Sequence, residues 1–280
     1  MTAPPTAGPA GGRSLVGYAV AVAITVGAVL SQYVVPERWP LTRSVYDNLP
    51  GDLLVVYGLP IVAFAVLVGV APLRAWRQRL RLAAWRGLGW YGALSLLALA
   101  VVFFLVIIYD IVDPHALELL RRTSPPLVAA RSDPWFYVGL SFAIGAVEET
   151  IFRGWIFGFW SGRTTRWVVP ATWTSALFAA VHLYYGTTYG AASPLIFPTL
   201  FLAGFAFAAT YRASGGNLVV PALLHGGMDA SAYLTLVNDA VALAIHYGLI
   251  AVGGVCALIA YLRGEWDDPP AATGAPAPGP

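Results

Sequence analysis

Residues 134–160 read PWFYVGLSFAIGAVEETIFRGWIFGFW, an almost uninterrupted apolar run that contains two adjacent glutamates and an arginine. A bilayer core about 30 Å thick is crossed by roughly 20 apolar residues in a helix, so the run is long enough to span a membrane. Ionisable side chains at mid-membrane cost several kcal/mol and normally face a protein interior or a watery cavity. The stretch therefore predicts a transmembrane helix in which Glu148, Glu149 and Arg153 belong to a site.

The composition extends the membrane prediction to the whole chain. Of the 280 residues, 58% are hydrophobic and 11% are charged, whereas a soluble domain has about 45–50% apolar and about 25% charged residues. The mean hydropathy of +0.70 and the small net charge of +2 favour a lipid bilayer over nucleic acid as a partner. The single cysteine, Cys256, excludes a disulfide framework and a site built from several thiolates.

Runs long enough to cross a bilayer recur along the chain, and they predict an all-α, polytopic membrane protein with about eight transmembrane helices. The predicted spans are residues 15–35, 53–73, 88–111, 134–160, 167–185, 194–212, 218–236 and 240–262. The first three spans and their loops occupy residues 15–133. The Pro-, Ala- and Gly-rich ends, residues 1–14 and 264–280, are predicted to be disordered because they carry too few apolar side chains for a core.

The distribution of arginine, which supplies every basic side chain, predicts the orientation. If the N-terminus is cytoplasmic, the cytoplasmic segments contain 10 arginines and the opposite segments contain 5. Positive residues are retained on the cytoplasmic side, and the loop RAWRQRLR at 74–81 contributes most of the difference. We therefore expect an uncleaved first span, both termini in the cytoplasm, and a multi-pass protein of a bacterial plasma membrane.

Two further predicted spans carry ionisable side chains. The fifth contains His182, in FAAVH, and the seventh contains His225 and Asp229, in HGGMD. With a helix rise of about 1.5 Å per residue, these side chains and Glu148 all fall in the central to cytoplasmic part of the bilayer. The remaining ionisable residues within or beside spans are expected to be interfacial or structural: Asp110, Asp113, His115 and His246.

Helical spacing separates the roles of the two glutamates. Residues four apart lie on one helix face, so Glu149 can pair with Arg153, and His225 lies beside Asp229. Glu148 is rotated by about 100° from Glu149 and can face the histidines of the other spans. The spacing thus predicts one shared site built from three helices.

A carboxylate and a histidine from different helices can hold and deprotonate a water molecule, directly or through a metal. A second histidine can stabilise the oxyanion of a tetrahedral intermediate. Such a set predicts hydrolysis without a covalent nucleophile, since Ser175 lies in neither a G-x-S-x-G elbow nor a Ser/Lys pair. Two alternatives are a buried structural network and haem ligation by His182 and His225, which would leave the glutamates unexplained.

Three motifs occur in order and in separate predicted spans. EETIFR at 148–153 matches EExxxR, FAAVH at 178–182 matches FxxxH, and HGGMD at 225–229 matches HxxxN/D. The ordered set resembles the CPBP family of intramembrane proteases, also called the Abi or CAAX-protease-like family, which includes the Ras-converting enzyme that trims prenylated CAAX proteins. The resemblance implies a catalytic core at residues 134–236, formed by helices four to seven, followed by a last transmembrane helix at 237–263.

The resemblance also implies a role for each matching residue. Glu148 corresponds to the general base acting on water, with His182 helping to hold that water, and Glu149 and Arg153 correspond to a supporting pair. His225 and Asp229 correspond to the oxyanion-stabilising positions. Asp229 departs from the asparagine of the Ras-converting branch, and an ionised aspartate cannot donate a hydrogen bond. We therefore expect Asp229 to orient His225 or to support a metal.

The family implies an endopeptidase that hydrolyses a membrane-associated protein or peptide, either prenylated or C-terminally anchored. We expect no metal, with zinc bound by Glu148, His182 and His225 as the alternative. The alternative function is a non-catalytic membrane partner, such as a bacteriocin immunity or export accessory protein. The aromatic residues after the first motif are expected to be interfacial anchors, with a lipid-facing groove as the alternative: Trp155, Phe157, Phe159 and Trp160.

Overall fold

The structure is a computed structural model that describes five long stretches of the chain and shorter groups of residues between and after them. The described residues are 15–38, 51, 53–77, 88–89, 91–93, 95–97, 133–161, 164, 166–182, 193–234, 237–238, 240–241, 244, 248, 251–253, 255, 258–259 and 262. Every regular element within them is helical. The predicted all-α class is confirmed.

The α-helices are α1 (Leu15–Arg38), α2 (Leu59–Leu67), α3 (Pro134–Glu149), α4 (Gly158–Ser161), α5 (Val168–Val181), α6 (Ser193–Ala213) and α7 (Val219–Leu234). Two stretches of π-helix occur, one leading into α2 and one joining α3 to α4: Leu54–Gly58 and Thr150–Phe157. A 3₁₀ segment follows α2, at Ala71–Arg77.

The apolar run at 134–160 forms one continuous helical segment, Pro134–Ser161. Its start is capped, because the Asp133 carboxylate accepts a hydrogen bond from the Phe136 N–H at 3.0 Å and Pro134 occupies the first turn. An 18-residue window within it has a mean hydropathy of 1.2, and by length and composition the segment could cross a membrane. The other described helices do not reach that criterion singly, so the number of spans stays a prediction.

The second predicted span, 53–73, is broken. The segments Leu54–Leu67 and Ala71–Arg77 meet at 112°, and together they could form one bent span. Gly69 has φ of 106°, and its N–H and that of Val68 both donate to the Phe64 carbonyl at 2.9 Å. A glycine with positive φ ends a helix in this way because it bears no Cβ. The predicted spans 88–111 and 240–262 lie largely outside the described residues.

Helix α3 packs along α7 at a distance that only glycine permits. A Cβ on Gly226 would lie 2.6 Å from the Phe142 Cα, and a Cβ on Gly145 would lie 2.7 Å from the Gly226 nitrogen. Both contacts are to backbone atoms, which cannot rotate away. This close approach brings the C-terminal end of α3, with Glu148 and Glu149, opposite His225 on α7.

The N-terminal helices pack on the second π-helical stretch through aromatic rings. Phe64 stacks on Trp155 with ring centroids 5.4 Å apart, and the Trp155 Nε1–H donates to the Gly69 carbonyl at 2.8 Å. Trp155 is 0% exposed and Phe157 is 2% exposed. The prediction that these two residues are interfacial anchors or line a lipid-facing groove is therefore wrong. A helix that is apolar on every side gives no indication of which rings face protein.

Replacing Gly226 by alanine is expected to lower the free energy of unfolding by about 1–3 kcal/mol, because the added methyl group forces the α3 and α7 backbones apart. The matched control is Gly139→Ala in α3, where a Cβ meets nothing within 4 Å. The thermal unfolding midpoints of the two variants are measured on protein purified in detergent. Equal midpoints for Gly226→Ala and Gly139→Ala would contradict the close packing.

Candidate active site

Glu148 lies at the C-terminal end of α3, and its two carboxylate oxygens have different surroundings. Oε1 accepts a hydrogen bond from the Tyr57 hydroxyl at 3.1 Å. Oε2 lies 3.9 Å from Nε2 of His182 and 3.7 Å from Nε2 of His225. Among the described residues, Oε2 is buried and has no direct hydrogen-bond partner. The carboxylate is thus anchored through one oxygen and directed at two imidazoles through the other.

His182 follows the last residue of α5, where it caps the helix. Its Nδ1 lies 2.7 Å from the carbonyl oxygen of Phe178, one turn earlier. Because a carbonyl only accepts hydrogen bonds, Nδ1 carries the hydrogen, and Nε2 of the neutral ring is an acceptor. The Phe178 ring also packs against the imidazole, with centroids 4.7 Å apart. The helix end therefore fixes both the direction and the tautomer of His182.

His225 projects from α7 into the protein interior. Its Nδ1 lies 2.8 Å from Oε1 of Glu149 and donates to that carboxylate. The ring stacks on Phe207 of α6, with centroids 4.7 Å apart and planes inclined by 17°, and meets the Phe178 ring edge-on at 5.6 Å. These contacts direct Nε2 toward Glu148.

Glu149 and Arg153 form the ion pair that their four-residue spacing predicts. Arg153 Nη1 donates to Glu149 Oε1 at 2.8 Å, and Nη2 donates to the Gly204 carbonyl at 2.7 Å. The guanidinium also lies 4.9 Å from the Phe178 ring centroid and 5.2 Å from that of Phe207. Both charged side chains are almost completely buried. Glu149 therefore links the first motif to α6 through Arg153 and to α7 through His225.

Asp229 lies one turn after His225, with Oδ2 3.5 Å from Nε2. It is the most exposed member of the set, at 34% of its side chain. The hydrogen bond that orients the His225 ring is made by Glu149, at the shorter distance of 2.8 Å. The orientation expected from Asp229 is thus supplied by Glu149, and Asp229 adds a longer contact on the Nε2 side.

The described residues include no group of three His, Cys, Asp or Glu side chains arranged to hold a metal ion. Zinc binding by Glu148, His182 and His225 stays a prediction. Ser175, the serine considered as a covalent nucleophile, is fully buried, and its hydroxyl donates to the Ala171 carbonyl at 2.6 Å.

Tyr57 is the site residue that sequence reasoning missed. It precedes Glu148 by 91 residues, and it lies in the π-helical stretch before α2, within an apolar run that only predicted a span. Its sole sequence signal is a hydroxyl group inside that run. Four ionisable residues considered from the sequence lie outside the described residues: Asp110, Asp113, His115 and His246.

Replacing Arg153 by methionine is expected to lower the free energy of unfolding by about 3–5 kcal/mol, because it leaves the buried Glu149 carboxylate without its cation. The double variant Glu149→Gln/Arg153→Met is expected to regain part of that loss. Thermal unfolding midpoints of the variants test the expectation. The control is Arg74→Met, which makes the same change at an exposed arginine. An Arg153→Met protein as stable as the Arg74→Met protein would contradict it.

One comparison with known proteins gives a match. Residues 130–231 match the family model described as Rce1-like, type II CAAX prenyl endopeptidase Rce1-like. The matched residues include both glutamates, Arg153, both histidines and Asp229. No curated protein and no solved structure gives a significant match to the chain. The resemblance to the CAAX-protease-like family that the three motifs predict is therefore confirmed over residues 130–231, where the chain is similar to the Rce1-like type II CAAX prenyl endopeptidases.

Proposed function

We propose that this protein is a membrane endopeptidase in which Glu148 activates a water molecule for direct attack on a peptide bond. The observation that carries the proposal is the position of Glu148 Oε2, which is buried and faces both histidine Nε2 atoms at 3.7 and 3.9 Å. These separations exceed a direct hydrogen bond, and a water molecule bound to two or three of the atoms fits such a spacing.

The first step is water activation. His182 Nε2, an acceptor in the tautomer fixed by Phe178, takes a hydrogen bond from the water and orients it. The water oxygen forms a bond to the scissile carbonyl carbon while its proton moves to Glu148 Oε2. The carbonyl π electrons move to the carbonyl oxygen, giving a tetrahedral intermediate with a negative charge on that oxygen.

The second step breaks the peptide bond. His225, in the imidazolium form that the Glu149 and Asp229 carboxylates favour, carries a hydrogen on Nε2 and donates it as a hydrogen bond to the oxyanion. As the intermediate collapses, the C–N bond breaks and Glu148 returns the proton to the departing amine nitrogen. The products are a carboxylate and an amine, and no covalent enzyme intermediate forms.

The substrate that we propose is a membrane-associated protein or peptide, with a prenylated CAAX-type C-terminus as the first candidate. The family description, type II CAAX prenyl endopeptidase, supports this choice.

A multi-pass arrangement in a bacterial plasma membrane, with both termini cytoplasmic, is part of the proposal. Its support is the large number of apolar side chains exposed on the outer faces of several helices, an arrangement that suits lipid contact and not water. Examples on α1, α2, α3 and α5 are Leu15, Val16, Val20, Leu59, Val62, Val66, Trp135, Phe136, Val168 and Val169.

Replacing Glu148 by glutamine is expected to lower kcat by about a hundredfold or more, because the amide cannot accept the proton of water. His182→Ala is expected to act similarly through loss of water orientation. The rate is measured with a quenched fluorescent peptide that ends in a prenylated CAAX sequence and with its unprenylated counterpart. In cells that carry the wild type or Glu148→Gln, the termini of membrane proteins are compared by mass spectrometry.

The matched control is Asp133→Asn, an acid-to-amide change at an exposed helix cap that asparagine can also fill. Wild-type rates for folded Glu148→Gln would rule out the proposed mechanism. A non-catalytic membrane partner would be favoured by two results together. The membrane-protein termini would be unchanged in the Glu148→Gln strain, and the variant would still support the protein's biological role.

A further inference from the structure

We infer that Tyr57 is a positioning residue for Glu148, so that the helices before the family domain complete the active site. The inference rests on the proposed function, in which Glu148 is the general base. The observation behind it is the hydrogen bond from the Tyr57 hydroxyl to Glu148 Oε1 at 3.1 Å. Tyr57 lies outside the residues that match the family, 130–231.

Tyr57 determines which oxygen of the carboxylate is available to react. A glutamate side chain has several rotatable bonds, and its terminal torsion is broad, so a buried carboxylate without a donor can turn either oxygen toward a neighbour. The Tyr57 hydroxyl fixes Oε1, and Oε2 is then directed at Nε2 of both histidines. The phenol thus selects one orientation and holds it before substrate binds, which is the condition for effective general-base catalysis.

The contact is also electrostatically directed. A phenol O–H that donates to a carboxylate forms a hydrogen bond to a charged acceptor, which is stronger than a bond between neutral groups. At the other carboxylate oxygen, Nε2 of His182 and Nε2 of His225 lie 3.9 and 3.7 Å away. Tyr57 therefore contacts one oxygen of Glu148, and the two histidines face the other.

Several contacts hold the Tyr57 segment against the segment that follows Glu148. The Trp76 Nε1–H donates to the Thr150 hydroxyl at 3.0 Å, and the Trp155 Nε1–H donates to the Gly69 carbonyl at 2.8 Å. Phe64 also stacks on Trp155, with ring centroids 5.4 Å apart. Since these contacts join the same two stretches of chain, the position of Tyr57 relative to Glu148 does not depend on the Tyr57 hydrogen bond alone.

The test is Tyr57→Phe, which removes one oxygen atom and keeps the ring. We expect kcat to fall about tenfold, with KM changed by less than about twofold, because the variant loses a charge-assisted hydrogen bond to the base and none to the substrate. The full chain is assayed in detergent with the peptide that the wild-type protein cleaves. Thermal midpoints are measured for every variant, and the Tyr57→Phe midpoint is expected to stay near that of the wild type.

The matched control is Trp76→Phe, which removes a hydrogen bond between the same two segments without touching Glu148. Its kcat is expected to stay within about twofold of wild type. The positioning role would be overturned by any of three results. The first is an equal fall in kcat for the two variants, and the second is a wild-type kcat for Tyr57→Phe. The third is a Tyr57→Phe effect that appears in KM, or only in the thermal midpoint.

Glu148→Gln in the same assay separates this inference from the function on which it rests. If Glu148→Gln is inactive and Tyr57→Phe is fully active, Glu148 remains the base and the inference about Tyr57 fails. If Glu148→Gln retains the wild-type kcat, the proposed function fails, and the positioning role of Tyr57 fails with it.

Discussion

The site depends on one buried carboxylate, that of Glu149. Its Oε1 accepts from Arg153 Nη1 and from His225 Nδ1, both at 2.8 Å, and the side chain is completely buried. A buried charge is tolerated only when it is paired and hydrogen-bonded. These two bonds therefore fix where α3, α6 and α7 must lie relative to one another, since Arg153 also reaches the Gly204 carbonyl of α6.

This constraint leaves the neighbouring glutamate available for chemistry. Consecutive residues on a helix point in directions about 100° apart, so the bonds that hold Glu149 do not reach Glu148. The π-helical stretch begins directly after the pair, at Thr150, and single-turn π distortions often occur at functional sites. The close packing of Gly145 against Gly226 then brings the α3 and α7 backbones near enough for both glutamates to face His225.

Interactions within one helix and the approach of the three motifs to one another could be predicted from the sequence. Contacts with segments outside those motifs could not. The spacing of Glu149 and Arg153 defines a shared helix face, which is why their ion pair follows from the 3.6-residue period. Tyr57 meets Glu148 across 91 residues, and no periodicity reports which faces of two apolar helices meet. The same limit applies to Trp155, because an apolar ring suits both lipid and protein core.

The bend at Gly69 shows a different limit. Averaged hydropathy over 53–73 predicts one straight span, since the two glycines and two prolines in that stretch hardly change the mean. Local backbone chemistry decides otherwise: Gly69 has φ of 106° and its N–H completes the cap on the Phe64 carbonyl. That bend exposes the Gly69 carbonyl to Trp155. A turn that the span prediction misses thus becomes an attachment point beside the site.

The charge balance of the site explains why an aspartate can occupy a position at which the motif also allows asparagine. Glu148, Glu149 and Asp229 are acidic, and Arg153 is the cation bonded to one of them. His225 contacts all three carboxylates, so a positive charge on its ring offsets the excess of negative charge. Asparagine at 229 would reduce that excess and supply a donor instead. Asp229 thus places a third carboxylate beside His225, on the Nε2 side of a ring that Glu149 holds through Nδ1.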